Sequence, residues 1–272
     1  MKNQKENDEP LFAWMRGRLP LDRGLVASWA DGDPRVTVLS YYFRDDDPCG
    51  EHLARTECAI LETWRHCGKI KSVIVTHSAT PRLERLAEAY APYIEIQTEP
   101  SLVPGNIFTM SVDCNSRLHK RFTTDYLLVV QDDGFPLRAG LERFLGKWDF
   151  IGAPYVRNKR RFQALCKFLN FQPMNGGFSL RSREICEHAF YHWNRFRKTA
   201  DERKFAEDIF YTQTLPLQNR AFRKSMRFPE FGDAVSFSYD ALVAHDISTL
   251  PFGFHRAETF AELCEKKLFT QS

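Results

Sequence analysis

The chain alternates short apolar runs with amphipathic stretches. The first clear run, VTVLSYYF (36–43), is β-branched and aromatic and stops at the polar cluster 44–50, so it predicts a buried strand followed by a turn. Residues 51–66 then carry Leu53, Cys58, Ile60, Leu61 and Trp64 near helical spacing, with Gly68 as the stop. KSVIVTH (71–77) predicts a second strand, Pro81 opens a second helix, and YIEIQT (93–98) predicts a third strand. Residues 105–122 read as a helix leading into DYLLVVQDDG, whose apolar stretch 126–130 ends in acids, the pattern of a central strand buried on both faces.

Beyond this point the pattern predicts a helix over 137–145, a strand in WDFIGAPY (148–155), a basic loop at 157–161 and a strand in GGFSLRS (176–182). A helix over 183–197 and a helical stretch over 204–218, interrupted at Pro216, follow; after that the pattern is too irregular to assign. Strands alternating with helices imply an α/β fold with a mostly parallel, Rossmann-like central sheet flanked by helices. No repeat, low-complexity tract or linker interrupts it, so the expectation is a single domain over 35–272 behind an N-terminal extension, 1–34. In that extension Leu11, Phe12, Met15 and Leu19 form an apolar helical face beside Arg16 and Arg18, suited to a membrane surface or, more ordinarily, to docking on the domain.

Composition narrows the class. The 272 residues are enough for a sizeable core, and 43% hydrophobic with 27% charged residues describes a globular chain. A net charge of +3 gives no reason to expect a nucleic-acid partner. The polar start MKNQKENDEP has no apolar signal core, and no run approaches the roughly 18–20 apolar residues of a membrane span. Seven cysteines, none in C-x-x-C spacing, point to reduced thiols and a cytoplasmic setting. Phenylalanine is skewed: of 23, only Phe12, Phe43 and Phe108 precede residue 121.

In an open α/β sheet, ligands bind at the carboxyl ends of the strands, which is where Asp132 and Asp133 fall. Adjacent carboxylates there suit a hard divalent cation bridging a substrate diphosphate, although Asp-Asp-Gly is also ordinary turn chemistry. Asn175-Gly176-Gly177 places two glycines where backbone turns tightly or approaches a ligand, or simply makes a loop. Glu207 and Asp208 interrupt an apolar helical stretch. Phe205, Ile209 and Thr212 are expected to face the core with Asp208 at the edge, placed as a general base or as a solvated acid. His255 ends the aromatic turn PFGFH, where a neutral imidazole completes a metal site or serves structure; His77 and His245 are weaker candidates. The run 157–161, with Arg157, suits a phosphate clamp or a solvated loop.

Taken in order, QDDG (131–134), FIGAPY (150–155), NGGFSLRS (175–182), EDIFY (207–211) and PFGFH (251–255) resemble a little-characterised family of glycosyltransferase-like proteins. The resemblance implies a GT-A-like fold, with a nucleotide-binding half over 35–134 and an acceptor and catalytic half over 135–272. It implies a nucleotide-sugar donor, a glycan or lipid-linked acceptor, and Mn2+ or Mg2+ as cofactor. Asp133 matches the acid of the family's Q-x-D pattern and becomes the principal metal ligand, with His255 approaching from the C-terminal side. Because Gln131 stands two places before Asp133, the motif is not a literal D-x-D. Asp132 becomes a second ligand or a partner of the donor ribose. The Asn175, Gly176 and Gly177 turn resembles the pocket-lining turn of β-1,4-galactosyltransferase-like enzymes, and their acidic pair corresponds to Asp208 as base with Glu207 on the acceptor hydroxyl. Peripheral association with the cytoplasmic membrane face goes with a lipid-linked acceptor.

Two other classes compete. A nucleotidyltransferase needs a phosphate-cradling loop after the first strand, where this chain has FRDDDPCG, a poor anion cradle. A non-catalytic glycan-binding protein would use the aromatic half for sugar stacking without requiring Asp133, Asp208 and His255 to meet.

Overall fold

The apolar runs of the first half become strands between helices. In the computed structural model, residues 4–19, 22–43, 47, 49–154, 166, 168, 171–197, 206–240 and 247–269 are described. Helices α1 (Gln4–Arg18) and α2 (Arg23–Ser28) precede β1 (Val36–Tyr41), α3 (Glu51–Cys67), β2 (Ser72–Thr76), α4 (Pro81–Ala89) and β3 (Ile94–Thr98). Then come α5 (Ile107–Arg117), β4 (Tyr126–Val129), β5 (Phe150–Pro154), β6 (Met174–Ser182) and α6 (Arg183–Phe196). The last part is short pieces: α7 (Glu207–Ile209), a π turn (Phe210–Thr214), α8 (Leu215–Gln218), α9 (Arg220–Ser225), α10 (Phe231–Phe237), β7 (Ser238–Tyr239), β8 (Gly253–Phe254) and α11 (Ala257–Glu265).

Among the described residues, six strands form one sheet in the order β3-β2-β1-β4-β6-β5. The first four pair in parallel, while β6 runs antiparallel to both β4 and β5. The sheet is therefore the mixed, largely parallel α/β sheet the alternation implies. Strand side chains divide between two cores with period two: Val36, Val38, Tyr126 and Leu128 join α1, α3 and α11 on one face, and Leu39, Leu127 and Val129 join α5 and α6 on the other. Burial on both faces explains why β4 reads as an unbroken apolar run.

Local chemistry sets the element ends. Thr80 Oγ1 accepts from Leu83 N at 3.3 Å and Pro81 fills the first position of α4. Ser182 caps α6 by accepting from Ile185 N at 3.1 Å. Gly68, at φ 80°, ends α3 in a conformation open chiefly to glycine. The apolar face of α1 docks: Leu11 and Met15 are buried, and Trp14 stacks on Phe135 with centroids 5.8 Å apart and packs against Phe260 and Phe269. That face is thus spent on the domain and is not presented to a membrane.

Two expectations fail. Residues 137–145 hold only a 3-10 turn at Leu141–Arg143, because Leu137 N donates to Phe252 O at 2.7 Å and Gly140, at φ 124°, breaks the approach. The predicted helix over 204–218 is not continuous where described. Leu215 N bonds to Phe210 O in a π register, and Pro216 starts the next helical turn where its missing N–H has no partner to lose. In that segment Phe210, Tyr211 and Thr212 face the core and Ile209 is partly exposed, while Phe205 lies outside the described residues.

Candidate active site

The chain leaves β4 in a tight turn in which Gln131 and Gly134 exchange backbone hydrogen bonds of 3.2 and 3.1 Å. The C-terminal PFGFH segment is laced alongside: Phe254 N donates to Phe135 O, Arg256 N to Asp133 O and His255 N to Tyr239 O. Two motifs more than a hundred residues apart thereby share one edge. His255 Nε2 lies 3.5 Å from Asp133 Oδ1 and 3.1 Å from Gln131 Oε1, while its Nδ1 faces Asp240 Oδ2 at 3.6 Å. Asp240, 1% exposed, accepts from Asn175 Nδ2 at 3.3 Å, and Gly177 N donates to Asn175 Oδ1 at 2.7 Å. Burial pulls the His255 imidazole towards neutrality, but the Asp133 and Asp240 carboxylates outweigh it and raise its pKa above the usual value. Burial, with the neighbouring Asp132, pushes the Asp133 carboxyl up against the pull of His255.

Asn175, Gly176 and Gly177 lie inside the strand β6 and not in a turn. The register of β6 against β5 shifts between Gly152 and Pro154, a bulge that re-aims side chains. A Cβ on Gly177 would overlap the His255 ring, with Cδ2 and Cε1 only 2.6 Å away. A Cβ on Gly176 would overlap Glu207 Oε1 and sit 2.7 Å from Arg181 Nη2. Consecutive glycines thus make room for an imidazole on one side and a carboxylate on the other. Glu207 Oε1 is held by Arg181 Nη2 at 3.0 Å. Asp208, 8% exposed, opens α7 beside it, with Oδ1 accepting from Ile209 N at 2.6 Å.

Asp132 turns away from His255: its Oδ2 lies 3.1 Å from His52 Nδ1, at the start of α3. Both line a cleft of about 210 Å³ that also contains Tyr42, Phe43, Gln131 and Asp133. The N-terminus of α3 is already filled, since Asp47 accepts from His52 N at 3.2 Å and Leu53 N at 3.0 Å. Although partial burial opposes it, these backbone bonds lower the Asp47 pKa. Among the described residues, that carboxylate occupies the place an anion would take at the helix N-terminus.

Asp133, His255 and the Gln131 amide oxygen present one nitrogen and two oxygens to a common space, and Asp240 on the far imidazole nitrogen is the usual orienting partner of a ligating histidine. No group of three or more His, Cys, Asp or Glu among the described residues forms a metal cage by itself. A carboxylate, an imidazole and an amide oxygen are donor types that a divalent ion such as Mn2+ accepts, its remaining positions going to other oxygens.

Of the residues singled out in the sequence, Asp133, His255, Asn175 and Gly177 come together on one side of β6, Gly176 and Glu207 on the other, and Asp132 belongs to the cleft. Arg157 and His245 lie outside the described residues, and His77 Nε2 lies 2.9 Å from Oγ of its neighbour Ser78. Arg181, Asp240 and His52 were not assigned from the sequence. A charge in a strand buried on both faces, as Arg181 is, signals a hidden partner; nothing local marks Asp240 or His52.

Residues 108–255, which contain the four site motifs, match the family described as "Protein of unknown function (DUF5672)". No curated protein matches the sequence. The structure is similar to mouse xyloside xylosyltransferase 1 in its apo form, at 10% identity over 81% of this chain and 97% of that one, with a TM-score of 0.49. It is also similar to core-mannan synthase A of Aspergillus fumigatus in a Mn/GDP form (9% identity, 66% and 67% covered, TM-score 0.43). A cytidylyltransferase from Leptospira borgpetersenii is a third (9% identity, 70% and 74% covered, TM-score 0.41). Their names span different reactions, so function is argued from this chain's own residues.

Proposed function

The chain belongs to the DUF5672 family, and we propose that it is a glycosyltransferase that moves a sugar from a nucleotide-sugar donor to a glycan or lipid-linked acceptor, with inversion. One observation carries the proposal: Asp133 and His255 face each other across the end of β4, and of two consecutive glycines in β6 one lies against His255 and the other against Glu207.

Asp133 and His255 would hold a divalent ion, which when bound stabilises the negative charge that builds on a departing diphosphate. Asp132 and His52 line the adjoining cleft, where the donor ribose fits Asp132. Asp208 is the general base that takes the proton of the acceptor hydroxyl as its oxygen bonds to the anomeric carbon, on the face opposite the bond to the departing nucleoside diphosphate. Glu207, with Oε1 held by Arg181, borders the acceptor hydroxyl. Asn175, Gly176 and Gly177 line the pocket, and Arg157 is proposed to assist at the donor. The seven cysteines are free, in keeping with a cytoplasmic site of action. No helix among the described residues is long and apolar enough to cross a membrane.

The test is release of nucleoside diphosphate from a panel of nucleotide sugars with Mn2+, with and without chelator. One donor class is expected to be turned over, with activity lost in chelator. Asp208→Asn should keep donor binding and lose transfer by about a hundredfold or more. Turnover within a few-fold of wild type in Asp208→Asn rules out Asp208 as the base.

A further inference from the structure

Arg181 is the charged residue of the NGGFSLRS motif, and the reaction above uses it only as the partner of Glu207. It is fully buried. Its Nη2 donates to Glu207 Oε1 at 3.0 Å and to Gly176 O at 3.1 Å, and its Nε donates to Ser179 Oγ at 3.0 Å. The guanidinium lies over the rings of Phe150 and Tyr211, 5.0 and 5.1 Å from their centroids. Nη1, equally buried, has no hydrogen-bond partner among the described residues. As a source of stability this is poor chemistry, because apolar residues of similar size commonly replace a buried ion pair without loss.

What the arrangement supplies is geometry. A planar fork ties one carboxylate and one carbonyl together, and that carbonyl belongs to the first of two consecutive glycines. The second glycine lies directly against the His255 ring, with no space between them for a Cβ. Any shift of Gly176 is passed to Gly177 through one peptide plane, and from there to the imidazole. We propose that Arg181 is a positioning residue which, through Glu207 and the Gly176 carbonyl, holds the glycine pair of β6 where His255 reaches Asp133. This rests on Asp133 and His255 being the ion's protein ligands. The pair thereby couples the acidic side of β6 to the metal side.

The test is the double variant Arg181→Met/Glu207→Met in the full chain, which removes both charges and keeps the volume. It is expected to fold with a melting temperature within a few degrees of wild type. Its crystal structure should show the His255 Nε2 to Asp133 Oδ1 separation opened beyond 3.5 Å. Mn2+ affinity, measured by calorimetry with Mn2+ alone, should fall about tenfold or more, as for other residues that orient a metal ligand. A stable double variant with that separation and Mn2+ affinity unchanged overturns the proposal. If His255 moves in the variant but wild type binds no Mn2+, positioning stands and the metal assignment falls. Should the double variant not fold, Arg181→Lys, which keeps the charge without the fork, is read by the same two quantities: both unchanged overturns the proposal, and displacement with weaker binding supports it.

Discussion

Substituting Gly177 by alanine sets the metal site against the packing that surrounds it. The added methyl would lie 2.6 Å from His255 Cδ2 and Cε1, whereas ordinary contact begins at 3.4 Å. The methyl overlaps His255 Nε2 more closely still, so the imidazole has to retreat by about 1 Å or more unless the strand moves instead. Overpacking of this kind costs about 1–3 kcal/mol, or about 2–10 °C of melting temperature for a chain of this size. Moving a ligand nitrogen that far should weaken Mn2+ binding at least about tenfold. Calorimetric titration with Mn2+, beside thermal melting, reads both effects. Gly32→Ala is the matched control, since its methyl would lie 2.6 Å from the Cys67 carbonyl, far from His255. It should lose similar stability and no Mn2+ affinity. If Gly177→Ala loses stability but binds Mn2+ within twofold of wild type, His255 is not a ligand.

Three further outcomes follow from the same geometry. Because its folded pKa is raised, protonated His255 contributes stability that is complete below about pH 6.5 and vanishes as pH rises through the folded value. An ion on Nε2 competes with that proton, so Mn2+ affinity should climb through the same window, and Asp240→Asn should move the climb to lower pH; affinity independent of pH there would exclude the imidazole. Trp14→Ala removes a ring stacked on Phe135 and should cost about 3–5 kcal/mol in urea unfolding, whereas a loss below about 1 kcal/mol would show that α1 is not integral to the fold. Asp208→Asn should leave donor binding intact while transfer is lost, separating the base from the donor site.

Much of the first half was legible because β1, β2 and β4 are buried on both faces and their helices carry strong caps, so short-range pattern and tertiary role agree. The second half was less so, for identifiable reasons. Residues 137–145 have helical composition but are captured by the Phe252 carbonyl, a contact more than a hundred residues away. The π turn before Pro216 has no sequence period of its own. At the site, Asp133, His255 and the glycine pair could be picked out as motifs, but that Gly176 serves Glu207 and Gly177 serves His255 depends on which distant segments pack against the two faces of β6. The carboxylate partner of Arg181, Glu207, and the amide partner of Asp240, Asn175, are remote in sequence, so no local signal assigns their roles. The phenylalanine skew has a physical meaning here: Phe135, Phe144, Phe178, Phe237, Phe252 and Phe254 pack ring on ring beneath the irregular segments that carry the site.

The central claim is that Asp133 and His255 hold a divalent ion for a nucleotide donor. Thermal melting with a panel of nucleoside diphosphates and nucleotide sugars, with Mn2+ or with chelator, in wild type and Asp133→Ala, tests it most directly. At a hundred times its Kd, a ligand should add about 2.7 kcal/mol, a rise of about 5–10 °C. The expected result is such a rise for one nucleotide class, only with Mn2+ and only in wild type. A rise that persists in chelator and in Asp133→Ala, or no rise for any nucleotide, contradicts the claim.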